Sequence, residues 1–514
     1  MSGLSLNYNK SCLITWNPND HPWAVEVARR VGCVHASCPI MYLGIPLGDN
    51  MNRCSAWKSI LAKVQNKLAS WKARVLSRAG RLILIKSVLN SLPIYYMSLF
   101  KMPKSVAMKI INLQRRFFWG EANNGKLSTP MIKWSSIELP KTLGGLGVGN
   151  ILYKNLVLLF IWWWRYSDSD NTLWKRIIMS VHGIYSLKAS ADSFKNVKDG
   201  IWGQMVNNDE MTGRIQSIVE EGLLVNVGDG KTTLFWHDKW CACGPLILVF
   251  PRLFSLSVQK ECFIFEMGEW TNDMWTWNLR WRRGLFDWEV EIVGSMEDII
   301  SSKTLRRNSA DGVSWVNSSA SSFPIRNILD KLYGDTEPIL SKEEIKFVWS
   351  KCYPPRAQMT LWLACLERLK TGDKLVEMGA PDPQQATCSL CRVSLESNSH
   401  VLFTCTFSWR VWMNMLNWWG IQGVLQPNCK SFILEWDGLM RKRKWKKLWH
   451  LILGCVVWSI WFERNNSKFN MKTPDVPRFT YNLQIRISTW AHELLGYDWF
   501  TPYDLIHNLE AVIL

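Results

Sequence analysis

The order of apolar and polar positions changes character several times along the chain. Residues Gly3–Trp16 alternate like a strand, and Met41–Gly48 (MYLGIPLG) joins a short apolar strand to turn-forming Gly44, Pro46 and Gly48. From Met51 the period becomes helical. Trp57, Ile60, Leu61, Val64, Leu68, Trp71 and Val75 would line one face of a first helix. Ser77 can cap a second that carries Leu82, Ile85, Val88 and Leu89 and stops at Pro93. Pro103 and Ser105 open a third, with Val106, Ile110, Leu113 and Phe117 inward. The run LVLLFIWWWRY inside Asn150–Asn171 reads as a core helix, not a base-stacking platform. Ser186–Asp209 is polar and loop-rich, and Val225–Lys239 reads as a β-hairpin about a Gly-Asp-Gly turn. The polar run Ser301–Ser322 marks a boundary, after which helices are expected over Ile345–Leu375 and Ser408–Trp419. Leu448–Phe462 is strongly apolar but spans only 15 residues. A membrane-crossing helix needs about 20, so a buried core helix and no membrane partner are expected. The fold class is therefore mainly α with small β elements, in several parts.

Charge adds a partner to this picture. The chain has 514 residues and a formal net charge of +18, which points to a polyanion. Fourteen cations lie between Asp49 and Glu121 with no Asp or Glu among them. A solvated helical surface normally mixes signs to gain weak i,i+4 pairs, so an all-positive one suggests RNA or DNA held through backbone phosphates. The residues expected to make those contacts are Lys63, Lys67, Lys72, Arg74, Arg78, Arg81, Lys86, Arg115 and Arg116. A second basic run, Arg441–Lys447 (RKRKWKK), could start a solvated helix, bind phosphate or serve in nuclear import. The 14 scattered cysteines and the polar Met1–Lys10 favour a reduced intracellular compartment.

The most specific chemistry lies in Thr387–Trp412. Cys388, Cys391, His400 and Cys405 have the spacing C-x2-C-x8-H-x4-C. Three thiolates and an imidazole form the ligand set of a closed tetrahedral zinc site, with no open position for an activated water. The expected role of Zn²⁺ is structural, and no catalytic residue is assigned. Cys352 and Cys365 are the nearest decoys and are expected in the core. Two other constellations fail. Gly-Lys-Thr at 230–232 lacks the glycine a phosphate loop needs at position 225, where Val stands. His237, Asp238 and Cys241 sit on a strand-like segment, where neighbouring side chains diverge.

Taken together, several segments resemble a known family in its order: YLGIPLG at Tyr42–Gly48, Trp57–Lys72, LSRAGRLILIKSVLNSLPIYYMSLFKMP at Leu76–Pro103, RRFFWG at Arg115–Gly120, IKWSSIELPKTLGGLGVGN at Ile132–Asn150 and VGDGKTTLFWHDKW at Val227–Trp240. They are similar to the region after the polymerase palm in plant LINE-type (non-LTR) retrotransposon reverse transcriptases. Pro354–Leu375 with the Cys/His set resembles that family's zinc-binding domain, and WSIWFERN at Trp458–Asn465 the segment after it. The resemblance implies the trailing edge of a palm at 1–50 and a basic, thumb-like helical region at 51–185. A Trp-rich linker region with a β-hairpin at 186–323, the zinc-binding domain at 324–425 and a helical tail at 426–514 would follow. Family polymerase activity rests on paired aspartates in an aromatic-Ala-Asp-Asp motif, placed upstream of the segments matched here. This sequence contains no Asp-Asp pair, and the stretch after Asn465 is too short for a ribonuclease H domain. The chain therefore looks like the C-terminal part of such an enzyme, inactive alone and binding nucleic acid. The alternative is a protein-interaction module of retroelement origin whose charge is incidental.

Overall fold

A computed structural model describes residues 7–8, 11–15, 21–68, 76–120, 130–167, 172–182, 210–271, 274–303, 305–316, 323–379, 386–423, 426–440, 442–498, 500–509 and 512. The protein is mainly helical, and its strands among these residues form only two-stranded sheets. It divides into two units. The first comprises Met1–Gln65, Asn90–Ile111 and Ile151–Asp335, and the second Asn66–Leu89, Asn112–Asn150 and Thr336–Leu514.

In the first unit the strand Cys12–Thr15 pairs in parallel with Val34–Ser37, and Ile40–Tyr42 pairs antiparallel with Ile45–Leu47. Trp57, Ile60 and Val64 are buried along the helix Lys58–Lys67 and the turn before it, as the periodicity requires, while Trp71 and Val75 lie outside the described residues. Helix Ile151–Ser167 supplies the larger core. Leu156, Val157, Phe160, Trp163 and Trp164 pack there with Ile215, Val219, Trp315, Ile328 and Leu332. The aromatic run is core, as expected. One buried polar side chain registers this helix: the Asn155 amide donates to the Met97 carbonyl at 2.7 Å and the Phe100 carbonyl at 2.9 Å, and its oxygen accepts from the Met102 amide at 2.7 Å. The partners are backbone groups where the chain leaves the short helix Ile94–Met97 and leads into Lys104–Trp119.

The hairpin expected over Val225–Lys239 does not form. Strand Leu223–Asn226 instead pairs antiparallel with Gly312–Trp315, so part of the presumed boundary run belongs to the sheet. The reason is a buried carboxylate. Asp311 accepts from the amides of Gly228 (2.7 Å), Gly230 (2.9 Å) and Thr232 (3.0 Å) and from the hydroxyls of Thr232 (3.0 Å) and Thr233 (2.8 Å). The Gly-Asp-Gly segment closes around Asp311 instead of reversing the chain. These amides resemble a phosphate cradle, but an internal anion already fills it. A true hairpin lies further on, between Gly268–Thr271 and Met274–Trp277.

In the second unit Ser77 caps the helix Arg78–Leu84, accepting from the Gly80 amide at 3.3 Å, and a π turn over Ile85–Leu89 follows. The longest helix, Lys446–Asn470, buries a continuous stretch from Leu448 to Val457. It is wrapped by Pro355–Cys365 and Val476–Leu495, which explains an apolar run too short for a membrane. No described helix is long and apolar enough to cross one. Gly454 breaks that run because a Cβ there would lie 2.4 Å from the Tyr353 ring. Trp436 and Trp449 stack at 4.1 Å, and each indole N–H donates to the other's backbone carbonyl, at 3.0 and 2.7 Å. Large aromatic area is thus buried without stranding either polar handle.

Asp311→Ala should leave five donors of the 228–233 loop without their acceptor. The expected loss is at least about 3 kcal/mol. It should be read as a lower urea midpoint for the first unit and as lost hydrogen-exchange protection at Gly228, Gly230 and Thr232.

Candidate metal centre

The loop that carries Cys388 and Cys391 is a small antiparallel knuckle. Thr387 bridges to Leu395, the Cys388 amide donates to the Ser394 carbonyl at 2.9 Å, and the Glu396 amide to the Ala386 carbonyl at 2.7 Å. Arg392 closes the turn in the left-handed region, at φ 58°. Its amide donates back to the Cys388 carbonyl at 2.8 Å. This geometry turns both thiols to one side. The other two ligands come from a π turn, His400–Thr404, in which the Cys405 amide donates to the His400 carbonyl at 2.8 Å. That five-residue step accounts for the x4 spacing and places His400 and Cys405 together. Cys405 is also the N-cap of helix Thr406–Trp418, at the end whose dipole favours a thiolate.

The four ligand atoms all lie within 4.8 Å of one another. Cys388 Sγ is 3.9 Å from Cys405 Sγ, and Cys391 Sγ is 3.4 Å from His400 Nε2. Zinc–sulfur bonds of about 2.3 Å at tetrahedral angles imply sulfur–sulfur edges of about 3.8 Å. The residues therefore fit Zn²⁺. Cys388 and Cys405 are buried, while Cys391 and His400 are half-buried. The Cys388 thiol is pushed up to about 12, first by its hydrogen bond to Cys405 and then by burial. The same hydrogen bond holds Cys405 low, aided by the Phe407 and Ser408 amides. Burial raises the Cys391 thiol, but the Ser394 and Val393 amides and the His400 ring outweigh it and hold it low. His400 is raised, first by its hydrogen bond with Cys388. Without a metal, these ligands hold protons at short range, and a divalent cation would take their place.

A support around this cluster went unread in the sequence. Glu396 is fully buried in the metal loop and forms a bidentate pair with Arg464 of the longest helix, at 2.6 and 2.5 Å. Arg464 is 2% exposed, donates to the Lys370 carbonyl at 3.2 Å and lies over Trp461 at 4.7 Å. Glu396 also accepts from the Gly372 amide at 2.8 Å. Gly372 has to be glycine, because a Cβ would meet Ala386 Cα at 2.5 Å. Ser467 and Ser389 add two bonds between helix and loop. The available signal was the lone acid of the metal loop and the lone arginine that follows the apolar run. Cys365 sits in the core with Cys429 at 3.8 Å, outside the metal cluster, as expected.

The cations assigned to phosphate fall into different environments. Lys63, Lys67 and Arg116 are exposed, and Arg78 and Arg115 are half-buried. Lys72 and Arg74 lie outside the described residues. Arg81 is half-buried, and its guanidinium donates to the carbonyls of Leu76 (3.2 Å), Phe117 and Phe118 (both 3.4 Å), which ties it to helix ends. Lys86 is exposed, and its ammonium donates to the Leu146 carbonyl at 3.1 Å. His237, Asp238 and Cys241 do not converge on a reaction. Asp238 accepts from the Leu234 amide at 2.7 Å, His237 meets Glu261 at 3.2 Å, and burial pushes Cys241 up to about 12.

Two outcomes are expected. Arg464→Met leaves the buried Glu396 carboxylate only the longer Lys468 contact, at 3.5 Å, and should cost about 3–5 kcal/mol, largely recovered by adding Glu396→Gln; urea unfolding of the zinc-loaded chain measures both. Zinc affinity should fall as pH drops, because protons compete for three thiolates and one imidazole, and binding should release protons, which titration calorimetry in two buffers detects.

Residues 330–412 match the zinc-binding family found in reverse transcriptase. The chain is 24% identical over 445 residues to a putative ribonuclease H protein of Arabidopsis thaliana, an alignment covering 85% of this chain and 67% of that protein. It is 26% identical over 151 residues to an uncharacterized mitochondrial protein of the same plant, covering 29% of this chain and 92% of that one. With the Cys/His cluster in place, these similarities support a retroelement-derived protein that carries a zinc-binding domain of the reverse transcriptase type.

Proposed function

We propose that the chain is a nucleic-acid-binding part of a LINE-type (non-LTR) reverse transcriptase, stabilised by structural zinc and without polymerase activity of its own. The observation that carries this reading is the closed Cys388–Cys391–His400–Cys405 set inside the matched domain. Four protein ligands leave Zn²⁺ no position at which to polarise a substrate, so the metal holds shape and the function is binding. The all-positive segment 51–120 supports RNA or DNA as the partner, with Lys63, Lys67 and Arg116 exposed for phosphate contact. Arg81 and Lys86 bind backbone carbonyls and contribute through shape. Catalytic silence is supported by the absence of an Asp-Asp pair, since two-metal phosphoryl transfer needs paired carboxylates to hold its ions. An intracellular location fits this reading.

Lys63→Gln with Lys67→Gln should weaken binding to any duplex or hybrid with little change in sequence preference. Each lost phosphate contact should lower the log–log salt slope by roughly 0.7–0.9. Fluorescence anisotropy across a salt series gives the slope, and an unchanged slope would remove these helices as the surface. With Mg²⁺, primer-template and nucleotides, the purified chain should extend nothing above a no-protein control. Template-dependent extension would contradict the proposal.

A further inference from the structure

The helix that anchors Arg464 has a second face. Trp458, Trp461, Phe462, Asn465, Lys468 and Phe469 fall on one side of it at helical spacing and line a cavity of about 720 Å³ in the second unit. Phe462 and Phe469 are 46% and 72% exposed, although both are large apolar rings. Arg78, Arg356 and Lys370 line the same cavity, and no Asp or Glu is among its described lining residues. Arg464 and Lys468 share the buried Glu396, and Arg78, Arg356 and Lys370 are the other cations of the lining. They are also crowded. Burial pushes Lys370 down, and the Arg78 charge adds to it; Arg78 is lowered first by burial and then by the Arg81 charge. A fold gathers like charges beside exposed rings at a cost, unless a polyanion with flat apolar faces completes the site.

From this we infer that the groove binds single-stranded nucleic acid, its phosphates on Arg78, Arg356 and Lys370 and its bases stacked on Phe462 and Phe469. The inference rests on the nucleic-acid reading above and gives it a site distinct from the segment 51–67. A single strand fits where a duplex does not. Unpaired bases can leave their stack and lie on an aromatic ring, whereas paired bases present only groove edges and phosphates. Stacking on rings is indifferent to base identity, so the site would take any sequence.

The test uses the full zinc-loaded chain with labelled oligo(U), oligo(dT) and a duplex of equal length, read by anisotropy over a KCl series. Phe462→Ala with Phe469→Ala should weaken both single strands at least about fivefold with an unchanged salt slope and leave the duplex unaffected. Arg356→Gln with Lys370→Gln should lower the single-strand slope by about 1.4, two contacts' worth. Circular dichroism and zinc content check that these variants fold. A measurement that needs no variant is photocrosslinking of a 4-thiouridine oligonucleotide to the wild-type chain, with adducts expected between Trp458 and Phe469. Oligo(U) binding with unaltered affinity in both variants, or crosslinks confined elsewhere, overturns the groove and leaves the nucleic-acid reading intact. Poly-glutamate competing as well as oligo(U) also overturns it, since the site would then be a generic anion site. No binding to any of the three nucleic acids overturns the underlying reading itself.

Discussion

Three sulfur atoms and an imidazole brought within 4.8 Å of one another set the terms for the second unit. Deprotonated thiolates at that range repel, and protonated thiols leave the cluster with weak hydrogen bonds in a largely buried place. The loop between the ligands contributes little apolar area, since Val393 and Leu395 are 84% and 63% exposed. An ion held there, with the Glu396–Arg464 pair behind it, would therefore supply the folding energy of the loop. Structural zinc in finger peptides supplies on the order of 10–16 kcal/mol at neutral pH, enough to order such a loop. The buried ion pair sets where the ordered loop sits, because its bidentate geometry and the Gly372 contact admit one register.

The two requirements are linked through one helix. Lys446–Asn470 buries its apolar stretch against the core, presents Arg464 to the metal loop, and turns its remaining aromatic face to the basic groove. The abundance of tryptophan has the same double logic. Most of the indoles are packed, and Trp436 and Trp449 satisfy their own N–H groups reciprocally. The rings left exposed on this helix, Phe462 and Phe469, carry no polar handle to satisfy and offer flat faces next to cations.

Much of this is legible in the sequence alone. Helical period located the buried face of Trp57–Val64, because a 3.6-residue repeat maps directly onto one side of a helix, and apolar density marked the helix Ile151–Ser167 as core. Ligand type and spacing found the four metal residues, because a knuckle turn and a π turn are both local. Long-range polar pairing was not legible. Asp311 draws in a loop some 80 residues earlier, converting an expected hairpin into a sheet between distant strands. Glu396 and Arg464 are 68 residues apart, and nothing in either neighbourhood names the other. Nor could the basic run around Arg81 show that its guanidinium also reaches the Phe117 and Phe118 carbonyls, 36 and 37 residues away.

The central claim is that one zinc ion is held by Cys388, Cys391, His400 and Cys405 in a closed shell. X-ray absorption at the zinc edge of the full chain reads that shell directly. The account predicts three sulfur scatterers at about 2.3 Å and one nitrogen at about 2.0–2.1 Å, with no oxygen. A shell dominated by oxygen and nitrogen, or one with a water in place of a protein ligand, would contradict it.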